Sequence, residues 1–296
     1  MMTNNTPLYV GIDGGGSKCS AILFNAKGAV LSQGIAGSAN AARDFSNTLV
    51  SIVESVRLAL INAGLGSDSM AGLQVGAGLA GACVPSVNSQ LKSWKHPFAS
   101  FSATSDLMTA CYGAHGGNEG ALLIVGTGSS AARMQNNKLT QFGGHGFVLG
   151  DKGSGAWFGR AAVASTLEAL DGLIPLSDLH DMVLNKLGLN SSAALVQTMI
   201  NASPSQFATL APDIIELALL HDLSALNLVK EGAAYLDKLC LRTLHGTSLS
   251  MVLMGGLAPS IEHWFSPELR QRIVKAQAGP EWGAMRLLQT PELMAC

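Results

Sequence analysis

The sequence predicts an α/β fold that is duplicated and therefore has two lobes. A short apolar strand, a glycine-rich turn and two further strands follow one another near residue 8, and the same order begins again near residue 117. Gly15 and Gly128 stand at equivalent places in the two copies. Segments with apolar residues at helical spacing separate and follow these strands, as in folds whose helices cover sheets.

The first copy contains a buried strand at 8–12, which is an apolar run that ends at a glycine turn. A helix is predicted over 44–63, because its apolar residues recur every three or four positions and Gly64 follows as a C-cap. The complete order in this half is strands at 8–12, 19–24 and 29–35, a helix at 44–63, a strand at 73–79, a helix at 86–95, a strand at 98–104 and a helix at 106–115.

The second copy repeats the three strands and then becomes largely helical. Its predicted elements are strands at 121–125, 130–134 and 139–142, helices at 154–170, 176–187, 192–200, 205–220 and 223–244, a strand at 249–254 and a helix at 281–288. We therefore expect an amino-terminal lobe of residues 1–116, completed by a carboxyl-terminal helix within 278–296, and a second lobe of residues 117–277.

Composition excludes several classes of protein. Hydrophobic residues make up 48% of the 296 residues and charged residues only 13%, against about 25% charged in an average chain, which argues against disorder. A net charge of −2 argues against a nucleic-acid binder. No signal peptide or membrane span is predicted, and five scattered cysteines without C-x-x-C spacing predict neither a disulfide framework nor a zinc site. We expect a cytoplasmic protein.

Common catalytic and nucleotide-binding motifs are absent from the sequence. There is no Gly-Lys dipeptide and hence no Walker A loop, and Cys19 stands where the Rossmann fingerprint needs a glycine. Neither G-x-S-x-G nor H-E-x-x-H occurs.

Two glycine turns with hydroxyl residues remain, at 13–18 and at 126–129. Closely spaced backbone N–H groups without side chains bind anions well. Asp13 could hold Mg²⁺ through water, because Mg²⁺ keeps part of its water shell. Either turn alone is explained by hairpin geometry, but two turns at equivalent places favour a nucleotide site.

These turns belong to a longer series of motifs that resembles the BadF/BadG-type ATPase family, and within it the N-acetylglucosamine and glucosamine kinases. The resemblance implies the actin-like ATPase (ribonuclease H-like) fold, with a nucleotide cleft between two lobes, and it covers nearly the whole chain. The matching segments are GIDGGGS at 11–17, GSAN at 37–40, SD at 105–106, GTGS at 126–129, GGHG at 143–146, GDKGSG at 150–155 and MGGL at 254–257.

The resemblance also implies the cofactors ATP and Mg²⁺ and allows a homodimer. It assigns ATP contacts to Gly14, Gly15, Gly16, Ser17, Lys18, Gly126, Thr127, Gly128, Gly255 and Gly256, with Ser17 where threonine is commoner. It assigns sugar contacts to Asn40, Asp106, Ser129, Gly144, His145 and Asp151.

Asp106 is the residue that we predict to be the catalytic base. It follows a predicted strand at the edge where ligands bind in open α/β folds, and it could accept the proton that a sugar hydroxyl loses during phosphoryl transfer. The alternative is that Asp106 is a helix N-cap, and Asp151 could likewise cap the helix that begins near Ser154.

The predicted function is transfer of the γ-phosphate of ATP to the 6-hydroxyl of an amino sugar. N-acetyl-D-glucosamine is the first candidate and D-glucosamine the second. His145 stands where some N-acetylglucosamine kinases have tryptophan, and it does not distinguish between the two sugars. Two alternatives stay open. One is an iron–sulfur activator ATPase of a radical dehydratase, to which Cys83 and Cys111 could contribute; the other is a nucleotide-dependent binding protein without transfer chemistry.

Overall fold

The computed structural model describes residues 7–290, which contain ten β-strands and twelve α-helices. The strands are β1 (Tyr9–Gly14), β2 (Cys19–Phe24), β3 (Val30–Ala36), β4 (Gln74–Leu79), β5 (Ser100–Ser105), β6 (Gly120–Val125), β7 (Ser129–Gln135), β8 (Lys138–Gly143), β9 (Met251–Met254) and β10 (Ile273–Val274). The helices are α1 (Phe45–Asn62), α2 (Pro85–Ser93), α3 (Asp106–Ala114), α4 (Gly155–Leu170), α5 (Asp178–Leu187), α6 (Ser192–Met199), α7 (Pro204–Ala208), α8 (Ala211–Leu219), α9 (Leu223–Leu244), α10 (Ala258–Ile261), α11 (Pro267–Arg270) and α12 (Pro280–Leu287).

The strands form two five-stranded sheets with the same topology. One sheet has the order β3-β2-β1-β4-β5, and the other, taken in the same direction, has the order β8-β7-β6-β9-β10. The central strands are β1 and β6. Strand β1 pairs in parallel with β4, which pairs in parallel with β5. In the same way, β6 pairs in parallel with β9, which pairs in parallel with β10. The predicted duplicated fold of the actin-like ATPase type is therefore confirmed.

The chain divides into two compact units. The first contains the described residues up to Gly120, residues 134–139 and the described residues from Lys275 onward; the second contains Ala121–Arg133 and Thr140–Val274. The lobe boundaries inferred from the sequence, 1–116 and 117–277, stay a prediction. Residues 291–296 of the predicted carboxyl-terminal segment 278–296 lie outside the described part of the chain.

In the first unit, helix α1 covers one face of the sheet. Asp44 caps this helix by accepting a hydrogen bond from the backbone N–H of Asn47 (3.0 Å). The core between helix and sheet contains fully buried side chains such as Ile12, Ile52 and Val75. Burial of such side chains contributes about 1.5–3 kcal/mol each, so this interface stabilises the sheet.

Helix α12 lies directly on the backbone of β1, β4 and α3. A Cβ atom at Gly11 would collide with the carbonyl oxygen of Glu281, and one at Gly76 with that of Ala284. A Cβ at Gly113 would collide in the same way with the carbonyl of Gly279. Glycine is required at these positions by close packing, and this packing brings the first turn of α12 beside the end of β1.

In the second unit, helices α4, α5, α8 and α9 enclose a core that includes Phe158, Leu179, Ile214 and Leu236, all fully buried. Ser154 caps α4, because its hydroxyl accepts a hydrogen bond from the N–H of Trp157 (3.2 Å). Neither α9, the longest helix between residues 7 and 290, nor any other helix in that range has both the length and the apolarity needed to cross a bilayer.

One predicted helix is wrong. The segment 205–220 forms two helices, α7 and α8, which are separated at Thr209 and Leu210. Pro212 lies in the first turn of α8, where its missing N–H is tolerated, whereas within a continuous helix it would break a backbone hydrogen bond and clash with the preceding turn. The short strand β10 and helices α10 and α11 were not predicted, because four or fewer residues show no periodicity.

Candidate active site

The first glycine turn connects β1 to β2 and is held in place by backbone hydrogen bonds. The N–H of Gly15 donates to the carbonyl of Lys18 (3.0 Å), and the carbonyl of Gly15 accepts from Ala39 (2.8 Å). A Cβ at Gly14 would lie 2.5 Å from Leu79 Cδ2, whereas one at Gly16 would meet nothing within 4 Å. Gly16 and the two residues after it are exposed. The turn is thus rigid at its base and open at its tip, which suits the approach of an anion.

Asn40 lies beside this turn. It forms a parallel bridge with Ala80, whose N–H donates to the carbonyl of Gly14 (2.9 Å). The Oδ1 of Asn40 accepts a hydrogen bond from the N–H of Arg43 (3.1 Å), which fixes the orientation of the side chain. The structure therefore brings this predicted sugar-binding residue next to the first glycine turn.

Asp106 is not the N-cap of α3, so that alternative is wrong. The cap is Ser105, whose hydroxyl accepts hydrogen bonds from the N–H groups of Leu107 (3.1 Å) and Met108 (3.4 Å). Asp106 is the first helical residue, and its Oδ1 accepts from the N–H of Leu107 (2.9 Å). Its carboxylate is therefore positioned by the helix but is not needed to begin it.

The register of the first sheet places Asp13 and Asp106 at the same edge. Gly14, Leu79 and Ser105 are partners across the parallel strands β1, β4 and β5, so they form one row near the carboxyl ends of these strands. Asp13 precedes this row and Asp106 follows it. This is the edge at which ligands bind in open α/β sheets.

Two neighbouring carboxylates act on Asp13 at this edge. Burial, followed by the charges of Glu281 and Asp106, raises the pKa of Asp13 to about 7, while Lys18 acts in the opposite direction. Burial also raises the pKa of Asp106, against the effect of its backbone hydrogen bond from Leu107. The negative charge at this edge exceeds what Lys18 alone can balance.

The residues at this edge fit a hydrated Mg²⁺ ion. Asp13 offers a half-buried carboxylate oxygen, the donor that Mg²⁺ prefers, and the neighbouring negative charge would favour a divalent cation. Between residues 7 and 290, no three histidine, cysteine, aspartate or glutamate side chains come together closely enough to hold a metal by themselves. Water molecules and phosphate oxygens would therefore complete the coordination.

Sequence reasoning missed Glu281. It lies in the first turn of α12, directly after Pro280, where an acidic residue is ordinary because it interacts favourably with the helix dipole. Only the packing of α12 on Gly11 brings it near Asp13. No sequence signal distinguishes it from any other acidic residue at a helix start.

The second glycine turn connects β6 to β7 and is docked on the start of α4. The N–H of Gly126 donates to the carbonyl of Gly128 (2.9 Å), and the carbonyls of Gly126 and Thr127 accept from Gly155 (2.8 Å) and Ala156 (3.1 Å). Since α4 satisfies these carbonyls, the turn is held rigidly. Thr127 is exposed at its tip.

Gly255 and Gly256, two of the predicted ATP contacts, lie beside the second turn. Gly255 follows β9 with a φ of +96°, and a Cβ there would collide with the backbone of Val125, the residue before the turn. Gly256 is exposed, and a Cβ there would meet nothing within 4 Å. The structure thus brings Gly255 and Gly256 to the carboxyl end of β6, next to Gly126.

Asp151 joins the second turn to the loop that follows β8. Because Ser154 caps α4, the capping alternative for Asp151 is also wrong. Asp151 has a φ of +55°, a conformation that is uncommon outside glycine and is found at functional sites. Its Oδ1 accepts from the N–H of Gly146 (3.2 Å). Burial raises its pKa, partly offset by this hydrogen bond, the nearby His145 and the N–H of Ser129.

The other predicted sugar residues of this unit differ in accessibility. Gly144 and His145 are exposed, and the φ of Gly144 is +69°. Ser129 is buried, and its hydroxyl donates to the carbonyl of Lys152 (3.1 Å). The hydroxyl of Ser129 therefore holds the loop, and its role as a sugar contact stays a prediction.

We predict that Gly128→Val strongly impairs the site. A Cβ at Gly128 would lie 2.7 Å from Asp151 Oδ2, so the new side chain must displace the carboxylate as well as narrow the turn. A misplacement of about 1 Å can cost about 10²-fold in rate, and we expect a fall in kcat/KM of this size. The matched control is Gly72→Ala, since a Cβ at Gly72 meets nothing within 4 Å. A folded Gly128→Val protein with unchanged kcat/KM would exclude this turn from the site.

Comparison with known proteins identifies relatives along nearly the whole chain. Residues 10–287 match the BadF/BadG/BcrA/BcrD ATPase family. Glucosamine kinase GspK of Vibrio cholerae is 34% identical over 284 residues, which are 96% of each chain. N-acetyl-D-glucosamine kinase of Dictyostelium discoideum is 28% identical over 254 residues, 78% of this chain and 77% of the relative. A crystal structure from Chromobacterium violaceum, provisionally assigned as an N-acetylglucosamine kinase, is 29% identical and superimposes with a TM-score of 0.90, covering 96% of this chain and 100% of its own.

Proposed function

The chain belongs to the BadF/BadG/BcrA/BcrD ATPase family, and from this premise we propose that it is an ATP-dependent amino-sugar kinase that phosphorylates the 6-hydroxyl of N-acetyl-D-glucosamine in the cytoplasm. Membership of an ATPase family supports the use of ATP, and relatives named as glucosamine and N-acetylglucosamine kinases support an amino-sugar acceptor.

One observation carries the proposed chemistry. Asp106 begins α3 at the carboxyl edge of the sheet, and Ser105 rather than Asp106 caps the helix. A half-buried carboxylate with a raised pKa that is not needed for capping is suited to proton transfer. We assign to Asp106 the role of orienting the sugar hydroxyl and accepting its proton as the bond to the γ-phosphate forms.

The remaining residues bind and orient the two substrates. The exposed tips of the two glycine turns, at Gly16 and Thr127, would present backbone N–H groups to phosphate oxygens, and Lys18 would add a positive charge. Asp13 would hold Mg²⁺ through water, and the bound ion would supply charge neutralisation on the phosphates. Asn40, Gly144, His145 and Asp151 would orient the sugar so that its hydroxyl is in line for attack.

D-glucosamine is the second candidate acceptor, and the 34% identical glucosamine kinase favours it. A free amine is cationic at neutral pH and is stabilised by a neighbouring carboxylate, a role that Asp151 could fill. D-glucosamine therefore needs a negative charge beside its ammonium group, whereas N-acetyl-D-glucosamine needs apolar contact for its acetyl group.

The iron–sulfur alternative finds no support at Cys111. This thiol is buried and donates to the carbonyl of Gly120 (3.4 Å). Burial raises its pKa to about 12, whereas a cluster ligand must be a thiolate. Cys111 is therefore a poor candidate for cluster ligation.

A coupled assay of ADP release tests the proposed function. We expect ADP release to require a hexosamine, with turnover on N-acetyl-D-glucosamine and D-glucosamine. The 6-deoxy analogue of N-acetyl-D-glucosamine is the sharpest control, because it keeps every group except the acceptor hydroxyl and should bind without being phosphorylated. Equal ADP release with and without sugar would exclude the kinase and leave an ATPase or nucleotide-binding protein that transfers no phosphate to a sugar.

A further inference from the structure

The loop between β8 and α4 exposes two adjacent apolar side chains. Val148 is 80% exposed and Leu149 is 86% exposed, more than any other large apolar residue between residues 7 and 290. Neither side chain contributes to the core of its unit. Their exposure therefore leaves an apolar surface on this loop that the core of the unit does not use.

The backbone of this loop is well defined. The N–H groups of Leu149 and Gly150 both donate to the carbonyl of Gly146 (3.2 and 2.7 Å). Phe147 anchors the loop to the rest of its unit, since its ring centre lies 5.4 Å from that of Phe207 and 5.1 Å from the guanidinium of Arg160. A loop whose backbone is already ordered loses little backbone conformational entropy when a ligand binds to it.

The same loop is tied to the predicted sugar-binding residues. Asp151 Oδ1 accepts from the N–H of Gly146 (3.2 Å), so the apolar pair lies within the loop that this hydrogen bond closes. Asp151 in turn adjoins Gly128 in the second turn. A carboxylate and an apolar surface thus stand a few residues apart, an arrangement that suits a ligand with both polar and apolar groups.

We infer that Val148 and Leu149 form an apolar wall for the N-acyl group of the sugar and thereby favour N-acylated over free amino sugars. This inference rests on the proposed function. The acyl methyl is the one apolar substituent that distinguishes N-acetyl-D-glucosamine from D-glucosamine. An ammonium group gains nothing from an apolar wall and loses water beside it, whereas the methyl group gains by leaving water.

The test compares acceptors in the double variant Val148→Ser, Leu149→Ser. One methyl group in an apolar pocket is worth about 10–200-fold in kcat/KM, and an open wall lies at the low end of that range. We expect the ratio of kcat/KM for N-acetyl-D-glucosamine to that for D-glucosamine to fall about tenfold, mainly through KM. In the wild type, extending the acyl group from acetyl to propanoyl should be tolerated.

The control is Leu173→Ser, Leu176→Ser, which replaces two leucines of the same unit that are 74% and 60% exposed and lie between α4 and α5. This variant should keep the wild-type ratio. An unchanged ratio in the Val148, Leu149 variant would overturn the inference. An equal loss of kcat/KM on both sugars, accompanied by a change in molecular mass measured by light scattering, would also overturn it. The loop would then be a contact between copies of the chain. Failure of the proposed function is distinct, since the wild type would then phosphorylate neither sugar.

Discussion

Asp106→Asn is expected to lower kcat by about 10²–10⁴-fold, the usual effect of removing a general base. Asparagine has nearly the same size and can still accept the hydrogen bond from Leu107, but it cannot take a proton from the sugar hydroxyl. Because Ser105 caps α3, the substitution leaves the cap intact. Burial raises the pKa of Asp106, so removing its charge should leave the melting temperature unchanged or higher.

Ser105→Ala is the matched control for this experiment. It removes the hydroxyl that caps α3 and should cost about 0.5–2 kcal/mol of stability with a much smaller effect on kcat. A loss of kcat without a loss of stability in Asp106→Asn, and the reverse in Ser105→Ala, would separate catalysis from capping. If Asp106→Asn keeps near-normal kcat, the base lies elsewhere and Asp151 becomes the next residue to test. Asp151→Asn should otherwise act mainly by raising KM for the sugar.

Asp13→Asn is expected to abolish detectable phosphorylation and at the same time to stabilise the ligand-free protein. The pKa of Asp13 is about 7 in the folded chain against an ordinary value of 3.8, so the folded state binds this proton more tightly than the unfolded state. Ionisation of Asp13 therefore destabilises the ligand-free fold progressively as the pH rises from about 4 to about 7, and the effect is constant above that range. Asparagine does not ionise and escapes this effect.

Thermal unfolding between pH 5 and pH 8 provides the measurement. The variant should unfold at a higher temperature than the wild type, with a difference that grows up to about pH 7 and then stays level. Asp44→Asn is the control: it replaces the exposed cap of α1 with an equally good capping residue and should show no such trend. Equal melting temperatures of wild type and Asp13→Asn at pH 8 would contradict the raised pKa. Added Mg²⁺ and ATP should stabilise only the wild type.

The fold could be predicted from the sequence because the patterns that indicate it lie within short segments of the chain. Alternating apolar runs and glycine turns define β1–β3 and β6–β8, and the repetition of this pattern predicts two sheets of equal topology. The segment 205–220 is predicted as one helix because its apolar residues keep helical spacing across Pro212, although proline in the first turn of a helix is a start signal. Local rules therefore gave the order of elements but not every boundary.

Less of the candidate site could be predicted from the sequence, because its decisive contacts join distant parts of the chain. Ser105 and Asp106 are both good capping residues, and only the backbone geometry at the start of α3 shows which one caps it. Glu281 approaches Asp13 only because α12 packs on Gly11. The proximity of Gly128 to Asp151 likewise joins residues that lie far apart in the sequence. Such contacts have no signature within a short window of sequence.

The packing of α12 on Gly11 and Gly76 has a consequence for synthesis on the ribosome. The first unit is assembled from both ends of the sequence, and its sheet cannot be covered by α12 until residues 280–287 have been translated. Every residue of the second unit precedes α12 in the chain, so that unit can fold while the nascent first unit still exposes the backbone face of β1 and β4. An incomplete chain that stops before Pro280 would keep this face open to water and to chaperones.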